Sequence, residues 1–177
     1  MRIVGGQYKG RVLNNFSGKD VRPTSDMVRE SLFNILQFKI HGATFLDLFA
    51  GTGAMGIEAL SRGAKSVTFN DANKNSINLI KSNLEKCKIT DGVEVKNTDA
   101  LVYLEVSNKQ FDIIYIDPPY STDLGQRALN KVKNCLSKEG VAIYEDEKPF
   151  VDDIEGLVIT DTRKYGRAYL TFFKKEV

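Results

Sequence analysis

The chain has 177 residues, 42% of them hydrophobic and 27% charged, which are the proportions of a globular protein and not of a disordered or membrane-embedded one. Its apolar runs are too short to span a bilayer, and Arg2, Lys9, Arg11, Lys19 and Asp20 interrupt the stretch where a secretory signal would sit. The net charge of +2 hides an asymmetry. Residues 1–40 carry seven basic and three acidic groups, a local +4, and the remainder is net −2, so the arm calls for a polyanionic partner.

Residues 1–40 read as a small basic extension, too short to sustain a core alone, and residues 41–177 as the core on which it packs. Within the extension, residues 2–13 alternate and carry Gly5, Gly6 and Gly10, the pattern of a twisted hairpin. Arg22-Pro-Thr-Ser-Asp follows, and Thr24 or Ser25 can cap a helix whose apolar face is Val28, Leu32, Ile35 and Leu36. His41, the only histidine, falls in a turn-like stretch, and Cys87 and Cys135 lack metal-ligand spacing. No metal is expected, a Ser-His triad is ruled out of the reckoning, and a reducing cytoplasm is the expected compartment.

Beyond residue 40, strand-like runs at 44–49, 66–71, 93–97, 111–117, 141–145, 157–162 and 168–173 alternate with helical periods. Ile77, Ile80, Leu84 and Cys87 share one helix face, as do Leu124, Ala128, Val132 and Leu136. The alternation predicts an α/β fold with a mostly parallel sheet. The last two strands are joined only by 163–167, so the sheet should end in an antiparallel hairpin.

Two motifs carry chemistry. The first strand runs into Asp47-Leu-Phe49-Ala50-Gly51-Thr52-Gly53-Ala-Met-Gly56, a G-x-G-x-x-G turn entering a helix. Glycines permit close backbone approach to an adenosine ligand. A dinucleotide would set its pyrophosphate on that helix end, where a carboxylate is unwelcome, whereas the ammonium of S-adenosylmethionine (SAM) suits Asp47 directly or through water. Asp71 ends the next strand, where an acid can take both ribose hydroxyls, with Asn70 and Asn73 as alternative partners. Asp99 follows the third strand and can accept from the adenine amine, with Ala100 beside the ring. Three acids at successive strand ends favour SAM as cofactor.

The second motif is Asp117-Pro118-Pro119-Tyr120, directly after the strand 111–116. A ring-conjugated amine is a poor nucleophile because its lone pair is delocalised. The Asp117 carboxylate and the Pro118 carbonyl can accept its two hydrogens and aim the lone pair at a sulfonium methyl. The two prolines fix φ, and Tyr120 can stack on the base. In a folded nucleic acid the target base must first leave its stack. Arg2, Lys9, Arg11, Arg22 and Arg29 are the candidate phosphate contacts, with Arg163, Lys164 and Arg167 as possible additions.

Together, Met1-Arg-Ile-Val-Gly-Gly with Gly10-Arg11, Arg22-Pro-Thr-Ser-Asp-Met-Val-Arg29-Glu-Ser-Leu-Phe-Asn-Ile-Leu36, Leu46 to Ala64, Asp117 to Tyr120, and Tyr165-Gly166 resemble bacterial small-subunit ribosomal RNA methyltransferase D. This is the 16S rRNA (guanine(966)-N(2))-methyltransferase family. The resemblance covers nearly the whole chain and implies a Rossmann-like, seven-stranded SAM-dependent methyltransferase. It also implies methyl transfer to the N2 amine of a guanine in 16S rRNA, within an assembled or assembling small subunit, by a cytoplasmic monomer. It assigns Asp47, Phe49, Ala50, Gly51, Thr52, Gly53, Asp71, Asp99 and Ala100 to the cofactor. It assigns Asp117, Pro118, Pro119 and Tyr120 to the reaction, and Arg2, Lys9, Arg11, Arg22, Thr24 and Arg29 to RNA. Asp71 is one departure, since members commonly have Glu there. The nearest rival is a DNA adenine-N6 methyltransferase, for which the chain lacks room for a target-recognition domain. A protein-glutamine methyltransferase would usually carry Asn at 117. A nicotinamide-dependent dehydrogenase lacks a hydride-handling residue here, and a non-catalytic RNA-binding module would not need both motifs intact.

Overall fold

The computed structural model describes residues 1–17 and 26–177; Arg22 and the cap candidates Thr24 and Ser25 lie outside them. Helix α1 (Asp26–Ile35) leads into β1 (Thr44–Asp47), α2 (Ala54–Ser61), β2 (Ser66–Asn70), α3 (Lys74–Lys86), β3 (Val93–Lys96), α4 (Ala100–Val106), β4 (Phe111–Ile116) and α5 (Leu124–Val132). Three strands then follow without a helix between them: β5 (Leu136–Asp146), β6 (Leu157–Tyr165) and β7 (Ala168–Lys175). They form one sheet in the order β3-β2-β1-β4-β5-β7-β6. The first five positions are parallel and β7 runs antiparallel to both its neighbours.

The inner strands β2, β1, β4 and the second half of β5 are buried on both faces, so adjacent apolar residues serve different layers, whereas the edge strand β3 is only half-buried. Phe45, Val67, Phe69, Ile113 and Ile143 pack with α1, α2 and α3. Leu46, Leu48, Ile114, Ile116 and Ala142 pack with α4 and α5. Chain order reverses direction in the sheet between β1 and β4, and ligands in open α/β sheets bind outside the carboxyl ends at such a point.

Three expectations need correction. Leu136 is buried but begins β5, because α5 stops at Val132 and Leu136 pairs with Phe111. On α1, Ile35 is 38% exposed, while Arg29 and Phe33 join Val28, Leu32 and Leu36 inside. At 100° per residue the buried stripe is centred between Leu32 and Leu36, which draws in 29 and 33 and leaves 35 at the margin. Arg29 therefore cannot serve as a phosphate contact.

The segment 1–13 is a hairpin by its pairing: Arg2 bridges Val12, and the Ile3, Gly10 and Leu13 amides donate to Arg11, Ile3 and Met1. Ile3 and Leu13 enter the core. Buried Glu58 on α2 fastens the hairpin, its carboxylate accepting from the Val4 and Gly5 amides at 2.9 and 2.8 Å and from Arg62 at 2.9 Å. Arg29 lies 3.6 Å from the same carboxylate and donates to the Arg2 carbonyl at 2.7 Å. Among the described residues no helix is long and apolar enough to cross a membrane.

Candidate active site

The glycine turn leaves β1 with Gly51 and Gly53 at φ +55° and +81°, a left-handed region that favours glycine. Gly56, one turn into α2, presses on β2: a Cβ there would lie 2.2 Å from Phe69 and 2.8 Å from Val67. This contact lets α2 begin close to the sheet. Asp47, 1% exposed, accepts from the Gly56 amide at 3.0 Å. A carboxylate thus sits beneath the first turn of α2, where its charge opposes a pyrophosphate. Burial raises the Asp47 pKa to about 7, the Gly56 hydrogen bond opposing and the Asp71 charge assisting.

Asp71 ties the turn to the loop after β2. One oxygen accepts from Gly51 at 2.9 Å and the other from Asn73 at 2.8 Å. Asp99 caps α4, accepting from Leu101 and Val102 at 2.9 and 3.1 Å, with Ala100 buried beside it. Phe49 is half-buried; the Ala50 amide donates to the Asn70 carbonyl at 2.9 Å, and the Thr52 hydroxyl accepts from Ala54 at 3.3 Å.

Asn70, buried at the end of β2, was legible only as a neighbour of Asp71. Its amide donates to the Leu48 and Thr98 carbonyls at 3.2 and 3.0 Å, linking the exits of β1 and β3. Its Oδ1 has no hydrogen-bond partner among the described residues, an acceptor still available to a ligand donor. Carboxylates at three successive strand ends, one of them beneath the helix end, and an unmatched buried acceptor fit SAM, which carries an ammonium, hydroxyls and an amine but no phosphate.

Asp117, Pro118, Pro119 and Tyr120 leave β4, the parallel neighbour of β1, in which Asp47 pairs with Tyr115. The Leu48 amide donates to the Tyr115 carbonyl at 3.1 Å, so the two loops part from adjacent strands about 4.8 Å apart and at the same edge. Pro118 is buried, Pro119 exposed and Tyr120 43% exposed. Ser121 takes a left-handed φ of +61°, and the Thr122 hydroxyl donates to the Pro119 carbonyl at 2.9 Å, closing the loop. Gly125 on α5 seats it, since a Cβ there would be 2.5 Å from Tyr144 and 2.9 Å from Pro118. Burial, then Asp146 and Asp117, hold the Tyr144 phenol above its usual range, so it stays neutral beside the loop.

Arg2, Lys9 and Arg11 are exposed, the Arg11 guanidinium lying 4.6 Å from the Tyr8 ring and donating to the Cys87 carbonyl. Arg163, Lys164 and Arg167 are also exposed. The register sets Glu145 opposite Leu170 and Leu170 opposite Arg163, so this hairpin tip stands at the carboxyl edge too. A groove of about 470 Å³ lies at the other edge, between Thr44, Thr68, Glu94 and Lys109. Its charges, Glu94 and Lys109, are paired with each other, and it contains none of the residues above.

This strand order, with a glycine turn and an Asp-Pro-Pro-Tyr loop side by side at the switch point, defines a SAM-dependent methyltransferase. The profile of the family described as Conserved hypothetical protein 95 matches residues 1–174. Ribosomal RNA small subunit methyltransferase D of Haemophilus influenzae is 39% identical over 158 residues, covering 85% of this chain and 82% of that one. The Escherichia coli protein of the same name is 36% identical over 149 residues, covering 83% and 75%. The solved structure of yhhF from Escherichia coli matches with a TM-score of 0.85 at 30% identity, over 100% of this chain and 98% of that one. The chain belongs to this family, that of small-subunit ribosomal RNA methyltransferase D.

Proposed function

We propose that this chain methylates the exocyclic N2 amine of a guanine in 16S rRNA, with an assembled or assembling small subunit as substrate. The observation that carries the reading is the delivery of both loops to one edge by the adjacent parallel strands β1 and β4. Bound SAM supplies an electrophilic methyl group on a sulfonium. Asp71 and Asp99 would take its hydroxyls and adenine amine, Asp47 its ammonium, and the turn from Phe49 to Gly53 would approach it through backbone.

On the facing side, the Asp117 carboxylate and Pro118 carbonyl accept the two amine hydrogens. This draws the nitrogen toward tetrahedral geometry and directs its lone pair at the methyl carbon. The methylated amine carries a positive charge until it loses one proton, which Asp117 can accept. Tyr120 is exposed enough to stack on an extruded base. Lys164 and Arg167, on the hairpin tip at the same edge, would hold flanking phosphates, and Arg2, Lys9 and Arg11, on the arm fastened to the ends of α2 and α3, would hold more distant ones. Arg22 and Thr24 would join the arm's group by family resemblance alone.

The test is to incubate small subunits, naked 16S rRNA and duplex DNA from a strain lacking this gene with isotopically labelled SAM. The products are digested and each modified nucleoside weighed. Labelled N2-methylguanosine in the subunit arm is expected. Label in N6-methyladenine from DNA would replace this reading with the DNA adenine alternative.

A further inference from the structure

Asn83 lies on the inward face of α3, fully buried in a stripe otherwise made by Ile77, Ile80 and Leu84. Its amide makes three hydrogen bonds, all to backbone. Oδ1 accepts from the Asn14 amide at 2.7 Å, and Nδ2 donates to the Asn14 carbonyl at 3.1 Å and to the Thr52 carbonyl at 2.9 Å. Both amide hydrogens are thereby used. Asn14 belongs to the N-terminal arm, and Thr52 is the middle of the glycine turn. One side chain pins both to the same point.

The arm's other polar contacts with α3 never reach the turn. The Asn14 side chain donates to Ser82 at 3.1 Å, Lys86 donates to the Asn14 side chain at 2.9 Å, and Arg11 donates to the Cys87 carbonyl. These bonds seat the arm, but among the described residues only the Asn83 amide joins that seat to the cofactor loop.

We propose that Asn83 is a positioning residue that couples cofactor binding to seating of the N-terminal arm. When the turn shifts, the Thr52 carbonyl leaves Nδ2 and a buried donor loses its partner. A cofactor that holds the turn in the observed shape keeps that donor paired, and so steadies the two bonds to Asn14. The coupling is reciprocal: a seated arm raises cofactor affinity by the factor with which the cofactor stabilises the seated arm. One hydrogen bond supplies a factor of about five. Resting on the RNA reading above, the same linkage makes the cofactor-loaded protein the form that binds substrate best, because the arm bears Arg2, Lys9 and Arg11. The link between cofactor and arm stands without that reading.

The experiment uses the full chain and S-adenosylhomocysteine as probe, with affinity from calorimetric titration and arm order from hydrogen–deuterium exchange over residues 11–17. In the wild type the probe should slow exchange of that segment about fivefold. Asn83→Ala and Asn14→Pro should each lose that effect and bind the probe about fivefold more weakly. Lys86→Ala should speed arm exchange overall, yet the probe should still slow it about fivefold, since Lys86 touches the arm and leaves the Asn83 link intact. Asn14→Pro removes the same link from an exposed position of the arm, by deleting the amide that donates to Asn83 together with the side chain that meets Ser82 and Lys86, so it decides the matter even where Asn83→Ala fails to fold. Wild-type probe affinity in Asn14→Pro, or arm exchange in the wild type that ignores the probe, overturns the coupling. A wild-type chain that binds no probe overturns the cofactor assignment itself, and the titration alone tells the two failures apart.

Discussion

Replacing Asp47 with Asn isolates the electrostatic cost of setting a carboxylate under the cofactor turn. Asp47 is 1% exposed and receives the Gly56 amide at 3.0 Å. Burial, against that hydrogen bond and with help from Asp71, lifts its pKa from 3.8 to about 7. Between those values the folded chain keeps a proton that the unfolded chain has released. The resulting stabilisation is complete below the unfolded value and is lost as pH rises through about 7. The shift corresponds to about 4 kcal/mol in all, of which about 2 kcal/mol separates pH of about 5.5 from about 8.5. Asn has the same shape and no charge to desolvate. Thermal unfolding of wild type and Asp47→Asn across that range should show the gap moving in the variant's favour by about 4–8 °C toward alkaline pH, at about 2–4 °C per kcal/mol for a chain of this size. Saturating S-adenosylhomocysteine should shrink the drift, because the ammonium that the proposed site sets facing Asp47 would favour the ionised form. Parallel curves for the two proteins without ligand would refute the reasoning, since the charged form would then carry no burial penalty.

Other substitutions separate fold from function. Asp117→Ala should keep S-adenosylhomocysteine affinity within about twofold while turnover falls by about 100-fold or more, read by single-turnover methyl transfer. Gly56→Ala forces a methyl group against Phe69 and Val67, and urea unfolding should register a loss of about 1–3 kcal/mol. Arg29→Met leaves buried Glu58 short of a cation and should cost about 3–5 kcal/mol by the same method. Arg11→Glu, by contrast, should keep most of the stability but weaken RNA binding and make its salt dependence shallower by about one counterion, measured by titration at several salt concentrations.

The sheet was legible because its strands are short apolar runs closed by turn residues, and the final hairpin because little but Gly166 and Arg167 separates two such runs. The first half of β5 was not, since Ser137, Lys138 and Glu139 give no strand period, and Leu136 becomes a strand residue only by pairing with Phe111. Both motif loops could be placed at strand ends, because a glycine turn and a Pro-Pro turn constrain backbone locally. What could not be read was which polar residues face inward. Arg29 looked like a surface cation because its partner Glu58 belongs to another helix, and charge alone does not reveal which stripe of α1 is buried.

A usable signal was nevertheless present in both helices that flank the turn. Glu58 interrupts the apolar run of α2, and Asn83 interrupts the apolar stripe of α3. A polar side chain in such a stripe needs a partner from elsewhere in the chain, because leaving it unpaired inside costs about 1–3 kcal/mol. In each case part of the partnership comes from the backbone of residues 1–17: Val4 and Gly5 for Glu58, beside Arg29 and Arg62, and Asn14 for Asn83, beside Thr52. The basic extension and the cofactor turn are therefore mounted on the same two helices. Removing the extension would take two amide donors from Glu58 and both Asn14 bonds from Asn83, so its loss should reach the cofactor site even though the assigned cofactor residues all lie beyond it.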